Sequence, residues 1–258
     1  MTTPSFPELL SLVDERSTAL RAAVAAGDPA APVPGCPDWS LRDLTVHLGH
    51  VHRFWAVAVS DADPAAAPAR DRVPDPEPTG DLLDWSAAST RLLLDALGEA
   101  GPGQPCWTWW GTSGAPMTAG AVARHQVQEA AVHAFDAQEA IGRPEPLPGS
   151  CAVDGVAEFV QVGLGSEGAW PHAAARIAFV TAEGPSWLVD LSPAGVRLDP
   201  AGSSPEPDPA AGGEPRATVR GPAGDLVLAL YRRIPLERVR VDGDRELVEL
   251  LLTWGDTE

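Results

Sequence analysis

The sequence predicts two domains of different class, a four-helix bundle followed by a smaller α+β domain. Three observations carry this reading. Apolar residues recur at helical spacing in four long segments before residue 145. The stretch "GRPEPLPGS" then interrupts the pattern with prolines and glycines. Beyond it the chain turns to short β-branched runs separated by turn residues, with helical segments at both ends, which is the signature of an α+β unit. The boundary is set between residues 146 and 147, giving domains 1–146 and 147–258.

The first helix is "FPELLSLVDERSTALRAAVAAG", where Leu9, Leu12, Val13, Leu20 and Val24 share a face and Gly27 ends the run. The second opens with "SLRD": Ser40 caps the first turn and an acid follows three residues later, ahead of "LTVHLGHVHRFWAVAV". A third runs from about Asp81 through "LLDWSAASTRLLLDALGEA", and a fourth from near Thr118 to Gly142, with Pro144 preventing continuation. Helices two and three are joined by the proline-rich "SDADPAAAPARDRVPDPEPTG", and helices three and four by the tryptophan-rich "GPGQPCWTWWGTSGAPM". Two such long connections suit a bundle with crossovers. In the second domain "DGVAEFVQVGLG" reads as a helix and "ARIAFVTA", "SWLVDLS", "GVRLDP" and "RATVRG" as strands. "PAGDLVLALYRRI" and "DRELVELLLTWG" read as helices, and residues 199–216 as a flexible loop.

Composition narrows the function classes. A chain of 258 residues with 44% hydrophobic content can bury a core, and its net charge of −18 argues against nucleic acid and anionic membrane surfaces as partners. No segment approaches the apolar length of a membrane-spanning helix, and the first residues lack a signal-peptide pattern, so the expected location is cytoplasmic. Cys36, Cys106 and Cys151 are widely spaced and odd in number, which fits a reducing compartment rather than a disulfide framework. All 18 basic residues are arginine, which together with abundant Ala, Pro and Gly points to a G+C-rich genome.

The chemistry-bearing residues lie on helices two and four. His125, Glu129 and His133 form a column at steps of four. At about 1.5 Å rise per residue the two histidines stand roughly 12 Å apart, too far to share an ion, so Glu129 can pair with only one of them. An exposed salt pair is the bland account of such a column. On helix two, His47 lies in an apolar column with Leu44, Leu48 and Val51 and is expected to face inward, while His52 points elsewhere. A core histidine bonded to a carboxylate would satisfy it. A histidine facing a Glu-x-x-x-His pair across a bundle would instead make a His₂Glu metal site with an open position. "CWTWWG" reads equally as a packed loop and as a pocket wall.

"PDWSLRDLTVHLGHVHRFW", "CWTWWG" and "RHQVQEAAVHAFDAQEAIGRP" resemble the N-terminal region of the mycothiol-dependent maleylpyruvate isomerases, within the DinB-like metal-binding bundles. "ATVRGPAGDLVLALYRRIPLERVRVDGD" resembles that family's sterol-carrier-like second domain. The resemblance spans nearly the whole chain in the expected order. It implies a divalent metal, usually zinc, held by the histidine of the "DLxxHL" pattern and by the later Glu-x-x-x-His, which fall on His47, Glu129 and His133 here, leaving His125 out. The family commonly has histidine where this chain has Gln128. It also implicates an arginine that best matches Arg233, with Arg232 standing where a glycine is common. The implied cosubstrate is mycothiol, whose thiolate would add to a small electrophile for isomerisation or sulfur transfer. An actinobacterial source agrees with the arginine-only composition. A thiol-independent metalloenzyme of specialised metabolism and a non-catalytic ligand-binding module remain alternative readings.

Overall fold

The computed structural model describes residues 3–75, 77–198 and 214–255. Two compact units emerge, one comprising Pro4–Gly111 with Pro116–Leu147, the other running from Pro148 onward and including Thr112–Ala115. Most of the 199–216 loop expected from sequence lies outside the described residues. Among the described residues no helix is long and apolar enough to cross a membrane.

The first unit is built on four long helices: α1 (Phe6–Ala26), α2 (Leu41–Asp61), α3 (Leu82–Ala100) and α4 (Ala119–Ala140). Each begins where a capping side chain satisfies the otherwise unpaired N–H groups of the first turn. Ser40 accepts from the Asp43 N–H at 3.2 Å while Asp43 accepts from the Ser40 N–H at 2.9 Å, the reciprocal box anticipated by "SLRD". Asp81 accepts from the Leu83 and Asp84 N–H groups to cap α3, and Thr118 accepts from the Ala121 N–H to cap α4.

α1 packs along α4 and α2 along α3. The α2–α3 approach depends on Gly49, where a Cβ would come within 2.0 Å of the Trp85 ring. α4 is buried along most of its length and carries Ala123, Ala130, Ala131, Ala134 and Ala137, small side chains that let neighbouring helices come close. Leu20, Val24, Leu41, Leu44, Leu48, Ala134 and Ala137 form one continuous apolar cluster. Burying a Leu of this kind is worth about 1.5–3 kcal/mol relative to leaving it in water.

Between α1 and α2 the structure adds a short hairpin, β1 (Pro32–Val33) and β2 (Cys36–Ser40), paired antiparallel with a register shift between Pro32 and Val33. The hairpin was not anticipated, since prolines at 32, 34 and 37 argue against strand pairing. It packs on α2 and α4 and carries Cys36 and Trp39.

The second unit opens with α5 (Gly149–Glu158), which starts earlier than the helical pattern suggested and continues as a wider turn over Phe159–Leu164. A five-stranded mixed sheet follows, formed by β3 (Ala175–Thr181), β4 (Ser186–Ser192), β5 (Gly195–Leu198), β6 (Ala217–Gly221) and β7 (Arg240–Gly243). Its order is β5-β4-β3-β6-β7, with β3 and β6 parallel and the other pairs antiparallel. β7 is an edge strand that the sequence reading missed, being four residues long and charged. α6 (Ala223–Leu230) and α7 (Arg245–Trp254) complete the α+β unit.

Candidate metal centre

His47 projects from α2 toward Glu129 and His133 on α4. Its Nε2 lies 3.0 Å from Glu129 Oε1, and His133 Nε2 lies 3.4 Å from the same oxygen. Two imidazoles and a carboxylate therefore present donor atoms to one small volume, all within 4.8 Å of one another. A tetrahedral cation with bonds of about 2.0–2.1 Å needs ligand atoms roughly 3.3 Å apart, so the spacing fits such an ion with little rearrangement. The donor set of two nitrogens and one oxygen leaves a fourth position open, as in catalytic zinc sites. His47 sits at the edge of the core rather than in the apolar interior expected from its column: its side chain keeps 34% exposure, against 9% for His133. Of the two histidines, His47 is therefore the one that solvent reaches more readily.

Behind His133 stands a group that sequence reading did not single out. Asp136, fully buried, places Oδ2 2.9 Å from His133 Nδ1. Cys36 Sγ donates toward the same oxygen at 3.7 Å. Trp39, from the same hairpin, covers the site, with its ring 4.5 Å from that of His47 and 6.0 Å from that of His133. The available signal was local, an acid three residues after His133 in "HAFD". Nothing in a single helix, however, marks which acid turns inward.

The electrostatics are those of a tightly paired cluster. Burial alone would raise the Glu129 carboxyl, but hydrogen bonds from His133 and His47 outweigh it and hold Glu129 well below its ordinary range. Burial would depress His133, yet hydrogen bonds to Asp136 and Glu129 and their charges lift it to about 9. His52 is buried beside Thr90, whose Oγ1 lies 3.3 Å from Nδ1, and burial pushes it down to about 3, so it stays neutral. His50 lies on another face, against Trp85 and Glu77. Cys106 is buried and its thiol is pushed up to about 11, which removes it as a nucleophile at neutral pH.

His125 joins none of this. Its ring lies 5.1 Å from Trp110, 5.6 Å from Trp109 and 6.3 Å from Trp55. Trp110 is fully buried and donates Nε1–H to the Pro116 carbonyl, whereas Trp109 keeps 44% exposure. The "CWTWWG" segment is therefore largely packing, with one tryptophan left at the surface.

Two family models match the chain. The mycothiol maleylpyruvate isomerase N-terminal domain matches residues 10–138, and the C-terminal domain of the same family matches residues 150–250. The chain belongs to the mycothiol maleylpyruvate isomerase family. The crystal structure of a mycothiol-dependent maleylpyruvate isomerase shares its fold at 14% identity, with a TM-score of 0.59, covering 94% of this chain and 96% of that one. A histidine-to-alanine mutant of such an isomerase matches with a TM-score of 0.61 at the same identity and coverage. No curated protein matches the sequence.

Within this isomerase family chain, the fourth residue singled out, Arg233, stands in the second unit, in the turn after α6. Its guanidinium donates to the Tyr231 carbonyl at 2.9 Å. The Arg233 N–H bonds to the Leu228 carbonyl and the Arg232 N–H to the Ala229 carbonyl, the two bonds of a Schellman helix end. That motif requires a left-handed residue, and Arg232 occupies it with φ of 57°. A glycine is the usual occupant of such a position, so Arg232 carries a backbone conformation that most side chains avoid. Gln128, where the family commonly has histidine, is fully buried on α4.

Proposed function

We propose that the chain is a metal-dependent enzyme that uses a low-molecular-weight thiol, mycothiol, to isomerise a small electrophilic substrate or transfer sulfur to it. The observation that carries this reading is the convergence of His47, Glu129 and His133 on one open-sided volume. These three residues are the proposed ligands, and their donor set suits zinc. A divalent cation held there would keep a coordinating thiol in its thiolate form at neutral pH, where a free thiol is only slightly ionised.

The chain's own residues do the rest. Glu129 would enter as an anion and offset part of the cation's charge, and the two imidazoles would bind as neutral donors. Trp39 shields one side of the cluster from water. We assign to Arg233 the binding of a substrate carboxylate through paired hydrogen bonds, because a guanidinium matches a carboxylate in geometry as well as charge. The bundle, residues 1–146, is the domain proposed to hold the metal. Small molecules are the expected partners, with neither nucleic acid nor membrane, and a cytoplasmic location in an actinobacterium would supply the thiol.

The test begins with metal content. His133→Ala and His47→Ala should each lose metal by more than ~100-fold in affinity, beyond what changes behind the ligands produce. In the cobalt-substituted protein, adding a thiol should release a proton and change the visible spectrum, because sulfur is a softer donor than water. Mycothiol should act at lower concentration than simple thiols. A fully metallated protein that shows neither response to any thiol would replace this reading with a thiol-independent metalloenzyme.

A further inference from the structure

We infer that Asp136 is a positioning residue for the proposed metal centre, holding the His133 ring in the one tautomer and orientation that turns Nε2 toward the cation. The inference rests on the metal reading above and adds a residue to it.

The argument starts from a competition. To bind a cation the imidazole must be neutral, with one proton left for two nitrogens, and His133 has a carboxylate facing each of them. Glu129 Oε1 is 3.4 Å from Nε2, and Asp136 Oδ2 is 2.9 Å from Nδ1. A proton on Nε2 would satisfy Glu129 but block coordination at that nitrogen. A proton on Nδ1 satisfies Asp136 and leaves the Nε2 lone pair free. The shorter contact is the one to Asp136, so the geometry favours the ligating tautomer.

Burial makes this contact unusual for an acid on a helix. Asp136 has no exposed surface, whereas acids at helical spacing from a basic group ordinarily sit in water. A buried carboxylate must be held by donors, and two of them are His133 Nδ1 and Cys36 Sγ. The hairpin touches the cluster at two points: Cys36 meets Asp136 while Trp39 packs on His47. Asp136 has no part in the three-ligand set, since its near oxygen faces the opposite ring nitrogen from Glu129.

The inference is tested on the full chain with zinc, using nitrogen-15 NMR of the histidine rings and chelator competition. In the wild-type zinc protein His133 should show a protonated Nδ1 and a coordinated Nε2, with the Nδ1–H resonance moved downfield by its carboxylate partner. Asp136→Asn, which keeps the shape and removes the charge, should lower zinc affinity by about 10–100-fold and move that resonance upfield, while the unfolding transition stays cooperative. Coordination through Nδ1 in the wild type would overturn the inference without needing any variant. So would wild-type zinc affinity and an unshifted Nδ1–H in Asp136→Asn. A wild-type protein that takes up no zinc would defeat the metal reading itself, a separate result.

Discussion

His125 and His133 stand about two turns apart on α4, and their surroundings differ in kind. His133 has a carboxylate at each ring nitrogen and a second histidine 5.1 Å away. His125 is ringed by Trp55, Trp109 and Trp110. One helix therefore presents the same side chain to two different chemistries. What separates them is contributed by other segments: α2 supplies His47 at one end and Trp55 at the other, the 32–40 hairpin supplies Cys36 and Trp39, and the loop before α4 supplies the remaining tryptophans. The polar end suits a cation, and the aromatic end is built to stay packed.

The largest effect should come from emptying the aromatic end. Trp110 is fully buried, and its Nε1–H bonds to the Pro116 carbonyl at 3.0 Å. Trp110→Ala removes that donor and leaves a cavity beside Trp55 and His125, which should cost about 3–5 kcal/mol of unfolding free energy in denaturant titration. Metal affinity, measured on the folded fraction, should move by less than about threefold. A tenfold loss of affinity would mean that the two ends are one structural unit, and the contrast would fail.

A smaller effect separates the ends by pH in the metal-free protein. His133 is raised from 6.5 to about 9, so its stabilising contribution is complete below pH 6.5 and is lost as pH rises through 9. His52 is depressed from 6.5 to about 3, so the unfolded chain binds its proton more readily and stability falls as pH drops below 6.5. Glu129, held low, adds to the acid side only below about 4.5. The two histidine arms should therefore meet in a stability maximum near pH 6.5, with the alkaline arm worth on the order of 3 kcal/mol when fully traversed. If His133 binds zinc as proposed, the metal replaces its proton, so loading the protein should flatten the alkaline arm and leave the acid arm of His52. An alkaline arm that survives zinc unchanged would show that His133 is not a ligand.

Much of this was legible in the sequence, for reasons that also explain the gaps. The four long helices were visible because apolar periodicity and capping residues such as Ser40 are local signals, and local signals survive without a structure. Glu129 and His133 could be paired by helical rise alone, but choosing His133 over His125 required the family resemblance. Asp136 was in plain view three residues on, yet a nearby acid on a helix is ordinarily solvated, and only the packing of Cys36 against it reveals otherwise. The hairpin was hidden by its prolines, and β7 by four residues of alternating charge and valine. The fit of Gly49 against Trp85 could not be read at all, because it joins two helices through a contact that no sequence period encodes.

The smallest expected effect tests the comparison most directly. His125→Phe keeps a flat ring of similar size among the three tryptophans, so the ring contacts at 5.1–6.3 Å can be preserved. It removes the polar ring nitrogens and whatever bonds they make, a change worth about 1 kcal/mol for an ordinary hydrogen bond. For a chain of this size that corresponds to a melting shift of about 2–4 °C. Because none of the three proposed ligands is touched, zinc affinity should remain within about twofold of wild type, and the cobalt spectrum should keep its band positions. The same substitution at His133 should abolish both. If His125→Phe lost zinc tenfold or more, the aromatic end would be part of the metal centre, and the helix would carry one site where two environments are described.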